Sequence, residues 1–354
     1  GAPRVVFWGT YDLGKPRIRI LLEGLGETGA EVTEIHADVW SAHSDKSQMS
    51  TRELAVAFAL SLLYYPVLLA RFFRSPRDAI VVVPYPGVLD VLVLWPFEKL
   101  RGQQVIWDMF LSLFDTVVND RKMASRRSPA GRLLFALEWL AARSVDCVLL
   151  DTDAHAAHVA DLFGLPAGRT AAIPVGVEAE HFPRLAPARA RAREGRTRVL
   201  FYGQLIPLHG VQTILDAALS ERGGAFDWHI IGTGQDRPKI EGALARQGAG
   251  HVTWEPWVPY ENLIEAIGEA DVCLGIFGAS TKAACVVPNQ VYQALLAGRT
   301  VITRDSPAIR ETFGDAPGLV RIPHSDPDAL LDAIDAAAAA GFPAMAMERL
   351  GVAL

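Results

Sequence analysis

The sequence predicts an α/β chain of two doubly wound domains, each a parallel sheet covered by helices, that face each other across a cleft. Three observations support this prediction. A length of 354 residues suits about two domains, short apolar runs alternate with helical segments along the chain, and the alternation stops once, around Pro183, and then starts again. Ligands of such sheets bind beyond the carboxyl ends of the strands, which is where the cleft lies.

The first domain is expected over residues 1–183. Its apolar runs are continuous, as in parallel strands that are buried on both faces. The expected strands are Arg4–Trp8, Val32–His36, Ala79–Val83, Val105–Trp107 and Cys147–Leu150. Helices are expected from Pro16, near Leu89–Leu100 and near Gly131–Arg143.

Residues 184–196 are rich in Pro, Ala and Arg and have no periodic apolar face. We interpret them as the linker between the domains, with a surface loop inside one domain as the alternative. The second domain is expected over residues 197–340. Its expected strands are Val199–Tyr202, Trp228–Ile231, His251–Trp254, Asp271–Ile276, Thr300–Thr303 and Val320–Ile322.

The composition excludes several classes of protein. Hydrophobic residues make up 50% of the chain and charged residues 21%, which excludes wholesale disorder. A formal net charge of −6 argues against a general nucleic-acid-binding protein. The 3 cysteines are widely spaced and predict neither a disulfide framework nor a zinc site, so a cytoplasmic location is expected. The first residues read directly as a strand, and no signal peptide is expected.

An apolar run without a charge extends from Leu54 to Ala70, and Arg71, Arg74 and Arg77 follow it. The run is shorter than the about 20 residues of a spanning helix, and Pro66 is expected to break it. One interpretation is a buried helix or helix pair in a large core. The other is a membrane contact through residues 54–77, with apolar side chains among the lipid headgroups and the arginines on anionic lipid.

Two loops of the second domain are candidates for binding an anion. In the loop after Tyr202, Gly203 allows close approach to the backbone, and Gly210 begins a helix whose free N–H groups attract negative charge. His209 adds a charge or a donor, or is a loop histidine without a ligand. Lys282 lies in a small-residue loop ahead of a helix that Pro288 opens, which suits a diphosphate; the alternative is a solvated lysine.

Other candidates in this domain are weaker. Gly232 and Gly234 follow a strand but do not complete the dinucleotide motif, so a nicotinamide-dinucleotide site is not expected. Gln293 lies one turn inside the helix that begins near Asn289, where it can reach a sugar hydroxyl.

The first domain carries many polar residues after the strand that ends at Trp107, which suggests recognition of hydroxyl groups. Asp108 is nearest to the strand end, and helix capping is its alternative role. The same loop contributes Ser112, Asp115 and Arg121, with an Asp120–Arg121 surface pair as an alternative. Gly9, Tyr11, Arg17 and Tyr85 are expected to line the same rim.

Several segments together resemble a known group of enzymes. They are Gly203-Gln204-Leu205, His209-Gly210, Lys282 with Pro288-Asn289-Gln290, and Ala297-Gly298-Arg299-Thr300-Val301-Ile302. These segments are similar to those of glycosyltransferases with the GT-B architecture of two Rossmann-like domains, and among them to the retaining family-4 enzymes. The chain departs from that pattern at Gln204 and His209, which replace an arginine and a lysine, and at Cys285 and Gln293, which replace a pair of glutamates.

The resemblance implies transfer of a sugar from a UDP-, GDP- or TDP-linked donor to a hydroxyl acceptor, with retention and without a metal or cofactor. It implies that Lys282, His209 and the helix ends at Gly210 and Asn289 stabilise the leaving diphosphate, and that Asp108 orients the acceptor. The implied donor-binding residues are Gly203, Gln204, Gly210, Gly232, Gly234, Val258, Pro288, Asn289, Gln290 and Gln293.

The implied acceptor is a saccharide, a lipid-linked molecule or a small molecule bound to the first domain, in the cytoplasm or at the inner face of the membrane. Residues 341–354 are expected to cross back to the first domain, as in this architecture. Two alternatives stay open: a nucleotide-sugar epimerase of the same fold, and an inactive homologue that binds or activates a partner.

Overall fold

A computed structural model describes residues 2–39, 51–177, 195–247 and 250–343. The chain divides into two compact units, Gly1–Val175 and Gly176–Leu354, called unit 1 and unit 2 below. Nearly all of the expected linker, and residues 344–354 of the segment expected to cross back, lie outside the described residues. The exact domain limits and the crossing segment therefore stay predictions.

Unit 1 is a six-stranded parallel sheet with the strand order β2-β1-β3-β4-β5-β6. Its strands are β1 (Arg4–Gly9), β2 (Glu31–His36), β3 (Ile80–Val83), β4 (Val105–Phe110), β5 (Cys147–Leu150) and β6 (Thr170–Ala172). Its helices are α1 (Pro16–Glu27), α2 (Thr51–Arg74), α3 (Val88–Arg101), α4 (Pro129–Ser144) and α5 (Asp153–Phe163). The order reverses between β1 and β3, so the carboxyl ends of these two strands form the switch point where doubly wound sheets bind ligands.

The helices of unit 1 divide between the two faces of the sheet. On one face, Ile18 of α1 packs with Val5 and Phe7 of β1. On the other face, the main core cluster takes residues from α2, α3, α4 and α5. These four helices therefore lie side by side on the same face, as right-handed crossovers in this strand order require.

Unit 2 is a second six-stranded parallel sheet, with the order β12-β11-β10-β7-β8-β9. Its strands are β7 (Arg198–Tyr202), β8 (Asp227–Ile231), β9 (Val252–Glu255), β10 (Val272–Leu274), β11 (Thr300–Arg304) and β12 (Leu319–Ile322). Its helices are α6 (Val211–Ala218), α7 (Arg237–Gln247), α8 (Tyr260–Glu269), α9 (Thr281–Cys285), α10 (Asn289–Leu296), α11 (Pro307–Phe313) and α12 (Pro327–Ala339). This is the order of a dinucleotide-binding sheet, and its switch point lies between β7 and β10.

The predicted fold class of two doubly wound parallel sheets is confirmed, and the differences are local. Strand β4 continues to Phe110, so Asp108 lies on the strand and not in the loop after it. The polar stretch beyond it forms a π-helix, Asp115–Asp120. Helix α2 continues through Pro66, because residues on both sides of the proline, Ala57 and Phe72 among them, are buried along one side of the helix.

Candidate functional site

The switch point of unit 2 brings together the loops that follow β7 and β10. The backbone N–H of Phe277 donates to the carbonyl of His209 at 3.0 Å, and that of Gly278 donates to Leu208 at 3.2 Å. A Cβ on Gly210 would lie 2.5 Å from the nitrogen of Gly278, so a side chain at this position would separate the loops. The loop that carries His209 and the loop that precedes Lys282 are therefore hydrogen-bonded to each other.

The glycines after β7 and β8 have a packing role of their own. A Cβ on Gly232 would lie 1.9 Å from the carbonyl oxygen of Gly203, and one on Gly234 would lie 2.6 Å from that of Leu205. Two backbones meet here, which requires glycine whether or not a ligand is bound. The donor contacts expected for Gly203, Gly232 and Gly234 stay predictions.

His209 is buried at the end of a short 3-10 helix, Pro207–His209. Its Nδ1 contacts the backbone carbonyl of Gln204, and its ring meets Phe201 edge to face at 5.7 Å. Because a carbonyl only accepts, the proton of the neutral ring stays on Nδ1. Nε2 can therefore donate to an anion only when the ring is also positively charged.

Lys282 lies on α9, and only 4% of it is exposed. Ser280 begins this helix by accepting a hydrogen bond from the N–H of Ala283 at 3.1 Å. Helix α9 packs against the 3-10 helix that carries His209. Lys282 is therefore a buried residue of the switch-point region and not a solvated lysine.

Arg304, the last residue of β11, also belongs to this region and was not predicted from the sequence. It is buried, and its Nη1 donates to the carbonyl of Gly278 and, at 3.4 Å, to that of Ser280. Burial lowers the pKa of this guanidinium. Arg304 thus holds the loop that leads into the Lys282 helix. The sequence pattern that could have indicated this residue is a charge at the carboxyl end of an apolar strand.

Helices α6 and α10 both begin at this edge of the sheet. The residues before them are Gly210 and Pro288, which have no side-chain acceptor to cap the first N–H groups. Gln290 is buried beside Gly203, and its carbonyl accepts from the hydroxyl of Tyr202 at 3.1 Å. The remaining predicted donor residues are half-buried or exposed: Pro288, Asn289, Gln293, Val258 and Gln204.

In unit 1, Arg17 and Asp108 form a buried ion pair. The Nε of Arg17 donates to the two carboxylate oxygens of Asp108 at 2.8 and 3.1 Å, and Nη2 donates to Oδ1 at 2.7 Å. The same guanidinium donates to the backbone carbonyls of Ile173 at 2.8 Å and Leu150 at 3.1 Å. Burial raises the pKa of Asp108, while Arg17 opposes that rise. The pair joins α1 to three strand ends.

Two histidine–carboxylate pairs lie on α5 and its neighbours. Nδ1 of the fully buried His155 is 2.5 Å from Oδ1 of Asp151. Nε2 of His158 is 3.3 Å from Oδ2 of Asp115, and the other oxygen of this carboxylate, Oδ1, accepts from the side-chain amide of Asn119 at 2.6 Å. Asp115 was predicted from the sequence, but Asp151 and His155 were not. The pattern that indicates them is a carboxylate directly after a strand with a histidine one helical turn later.

Glu138 of α4 holds the turn after β4 and was also missed. Its buried carboxylate accepts from the hydroxyl of Ser112 at 2.7 Å and from the N–H groups of Leu113 at 2.7 Å and Phe114 at 3.0 Å. Ser112 is thus engaged with the protein. Half-buried Tyr85 lies nearby, and burial raises its pKa to about 12.

The switch point of unit 1 is held by Asp90. Its carboxylate accepts from the backbone N–H of Thr10 at 3.0 Å and from the hydroxyl of Tyr65 at 2.8 Å. A Cβ on Gly9 would lie 2.5 Å from the same carboxylate. Tyr11 is fully buried with its hydroxyl on Glu34 at 2.8 Å, so its ring lies in the core and not at the rim.

Arg121, the last predicted acceptor residue, is half-buried next to the π-helix. The three cysteines are free thiols. In the described part of the chain, no group of three or more His, Cys, Asp or Glu side chains could hold a metal ion. Metal independence stays a prediction.

Comparison with known proteins supports the interpretation of unit 2. Residues 196–339 match the family model described as Glycosyl transferases group 1. The match covers most of unit 2 and no part of unit 1. No curated protein sequence matches the chain. The family match confirms the predicted enzyme class, a glycosyltransferase.

Solved structures of low sequence identity share the fold over nearly the whole chain. Sucrose-phosphate synthase from Thermosynechococcus elongatus superposes with a TM-score of 0.69 and 18% identity, over 96% of this chain and 90% of that one. Alr3699/HepE from Anabaena, in complex with UDP, superposes with a TM-score of 0.63 and 12% identity, over 99% of this chain and 94% of that one. A glycosyltransferase from Rickettsia africae ESF-5 superposes with a TM-score of 0.58 and 11% identity, over 96% of this chain and 88% of that one. The similarity confirms the GT-B fold.

Proposed function

We propose that the chain transfers a sugar from a nucleoside diphosphate sugar to a hydroxyl acceptor with retention of the anomeric configuration, and that the donor binds unit 2. The observation that carries the proposal is the packing of the His209 turn against the Lys282 helix at the switch point of a glycosyltransferase group 1 domain. Doubly wound sheets bind nucleotides at this point.

Breaking the bond between sugar and phosphate leaves negative charge on the diphosphate, and the site has to stabilise that charge in the transition state. We assign this role to the ammonium group of Lys282 and to the first N–H groups of α6 and α10. His209 contributes when its ring is protonated, because Nδ1 is already engaged with Gln204. As the resemblance to retaining enzymes implies, the leaving phosphate serves as the base that deprotonates the acceptor.

The solved structures suggest which nucleotide the donor carries. HepE from Anabaena has been solved with UDP and with UDP-glucose. We propose a uridine donor for the present chain, with its base near Val258 and its ribose near Gln293. Gln293 accepts hydroxyl hydrogen bonds without the negative charge of a glutamate, so we expect weaker ribose binding than a carboxylate would give.

We assign the acceptor to the carboxyl edge of the unit 1 sheet. Hydrogen bonds of the Arg17–Asp108 pair and of Glu138 fix the backbone at this edge. Asp115, Tyr85 and Arg121 lie around it. We propose that the enzyme works in the cytoplasm without a metal.

Donor binding is tested by thermal unfolding with UDP, UMP and GDP. We expect UDP to raise the Tm of the wild-type protein more than UMP, because only UDP has the second phosphate that Lys282 binds. The variant Lys282→Met keeps most of the side-chain volume and should lose the difference between UDP and UMP. The matched control is Lys239→Met, since Lys239 is a half-exposed lysine of unit 2 that pairs with Asp236 at 2.9 Å. A UDP shift that survives in Lys282→Met would contradict the assignment of Lys282.

Transfer itself is tested by incubating the protein with UDP-sugars and following UDP release with and without EDTA. Release that is slow without acceptor and unaffected by EDTA is expected. The proton coupling constant at the anomeric carbon of the product reports the configuration, and an inverted product would contradict retention. Binding of UDP without any turnover would favour the inactive homologue.

A further inference from the structure

Helix α2 buries only a narrow stripe. Its buried side chains are Ala57, Ser61, Tyr65, Leu68 and Phe72, which recur every three or four residues along one side. Tyr65 stacks on Trp8 at 6.1 Å, and the indole N–H of Trp8 donates to the carbonyl of Leu68 at 3.2 Å. This stripe anchors α2 in the core of unit 1, so the helix is part of the folded unit.

The rest of the helix surface is exposed and apolar. We call it the α2 outer face; it consists of Val56, Phe58, Ala59, Leu60, Leu62, Leu63, Tyr64, Pro66, Val67 and Ala70. Leu63 is 73% exposed and Val67 56%. Surface helices normally place charged residues on this side, but Glu53 and Arg71 are the nearest charges along the helix.

By length and composition, the segment Val56–Arg74 could cross a membrane, with a mean hydropathy of 1.8 and 28% of its residues buried. A crossing helix would have to leave the core, where Tyr65 also donates to Asp90 at 2.8 Å. A helix that keeps one stripe in a folded unit and exposes apolar residues elsewhere suits a position parallel to the membrane surface. The expectation of a helix buried in a large core is not met by this exposed face.

Positive charge is concentrated at the C-terminal end of the outer face. Arg71, Arg74 and Arg77 are exposed there. The end of α3 adjoins the same place: Arg101 donates to the carbonyls of Phe73 and Ser75 at 2.6 Å each.

The acidic groups near this end are few, and the structure gives two of them a basic partner. Asp78 pairs with Arg4 at 3.3 Å, and the buried Glu98 pairs with Lys99 at 2.9 Å. Glu53 lies at the opposite end of α2. Next to Arg101, which contacts the end of α2, Leu100 of α3 is 79% exposed.

We propose that unit 1 docks through the α2 outer face on a bilayer that contains anionic lipid, with Arg71, Arg74 and Arg77 on the lipid phosphates. Lipid fits this face better than a protein partner does. Protein interfaces need about one hydrogen bond per 100–200 Å², and within the outer face only Tyr64 has a polar side-chain group. The charge of the arginines complements anionic headgroups.

The proposal does not depend on sugar transfer, so its test measures binding alone. The 354-residue chain is floated with vesicles of phosphatidylcholine, with and without phosphatidylserine. We expect at least tenfold more bound protein on the vesicles with phosphatidylserine. The variant Leu63→Ser/Val67→Ser should lower that binding at least tenfold. Its control is Met123→Ser, which changes an exposed apolar residue of unit 1 in the loop between the π-helix and α4.

A second pair of variants tests the charge. Replacing Arg71, Arg74 and Arg77 with Gln should reduce binding at least tenfold on anionic vesicles. The matched control replaces Arg126 and Arg127, which precede α4, and Arg132, which lies in it, with Gln. It removes the same charge and should bind like wild type. Absence of binding to either vesicle would overturn the proposal. So would a wild-type dimer that Leu63→Ser/Val67→Ser converts to monomers without any effect on vesicles, because a second copy would then cover the face.

Discussion

The buried Arg17–Asp108 pair allows a quantitative prediction. The variant Asp108→Asn keeps the shape of the side chain but leaves Arg17 as an uncompensated buried charge, since both residues are almost fully buried. Losing one partner of such a pair costs about 3–5 kcal/mol. For a unit of this size we expect the Tm to fall by about 6–20 °C.

The double variant Arg17→Met/Asp108→Leu distinguishes the cost of an unpaired charge from the cost of the hydrogen bonds that Arg17 makes to backbone carbonyls. It removes both charges, but the carbonyls of Leu150 and Ile173 lose their donors. Since each lost hydrogen bond costs about 1 kcal/mol, the double variant should be destabilised by about 2 kcal/mol, less than Asp108→Asn alone.

Chemical denaturation of the wild-type protein, Asp108→Asn and the double variant gives the three free energies of unfolding. The control Asp332→Asn breaks an exposed pair with Arg222 and should leave the unfolding midpoint unchanged. If Asp108→Asn unfolds like wild type but loses sugar transfer, Asp108 acts directly on the substrate, and a structural role for the Arg17–Asp108 pair is refuted.

Three further outcomes follow from single contacts. Arg304→Gln should lower the free energy of unfolding by about 2 kcal/mol, because two loop carbonyls lose a charged donor, and should reduce the Tm shift with UDP, whereas the exposed Arg310→Gln should keep that shift. Glu138→Gln should cost about 2 kcal/mol in denaturation, because three donors lose a charged acceptor. Burial raises the pKa of the Cys273 thiol to about 12, so Ellman's reagent should react with it at pH 8 only after unfolding; rapid reaction of the folded protein would contradict that burial.

The sequence predicted the sheets well because parallel strands are buried on both faces and appear as continuous apolar runs. Each expected strand is present within a few residues of its predicted limits. The edge strand β6 was missed, since Thr170–Ala172 is short and carries no large apolar residue. Pro66 was expected to end a helix, but the buried stripe of α2 outweighs the loss of one backbone hydrogen bond.

The candidate site was predicted less completely, because side-chain partners are set by the fold and not by spacing. Arg17 and Asp108 were both assigned to the rim of unit 1, yet they are 91 positions apart, and nothing in the sequence shows that they pair. Asp108 was placed in a loop because the apolar run ends at Trp107. The strand continues beyond that residue, and a carboxylate there is buried beside its partner.

Burial divides the predicted polar residues into two physical classes. A buried polar group has to be hydrogen-bonded, and the buried carboxylates Asp90, Asp108 and Glu138 bond to backbone N–H groups or to an arginine of the same unit. They shape the loops at the carboxyl edge of unit 1, as Arg304 does in unit 2. Substitution of these residues should therefore lower stability and activity together. A loss of activity at unchanged stability should instead come from the half-exposed candidates, of which Gln293 is the clearest.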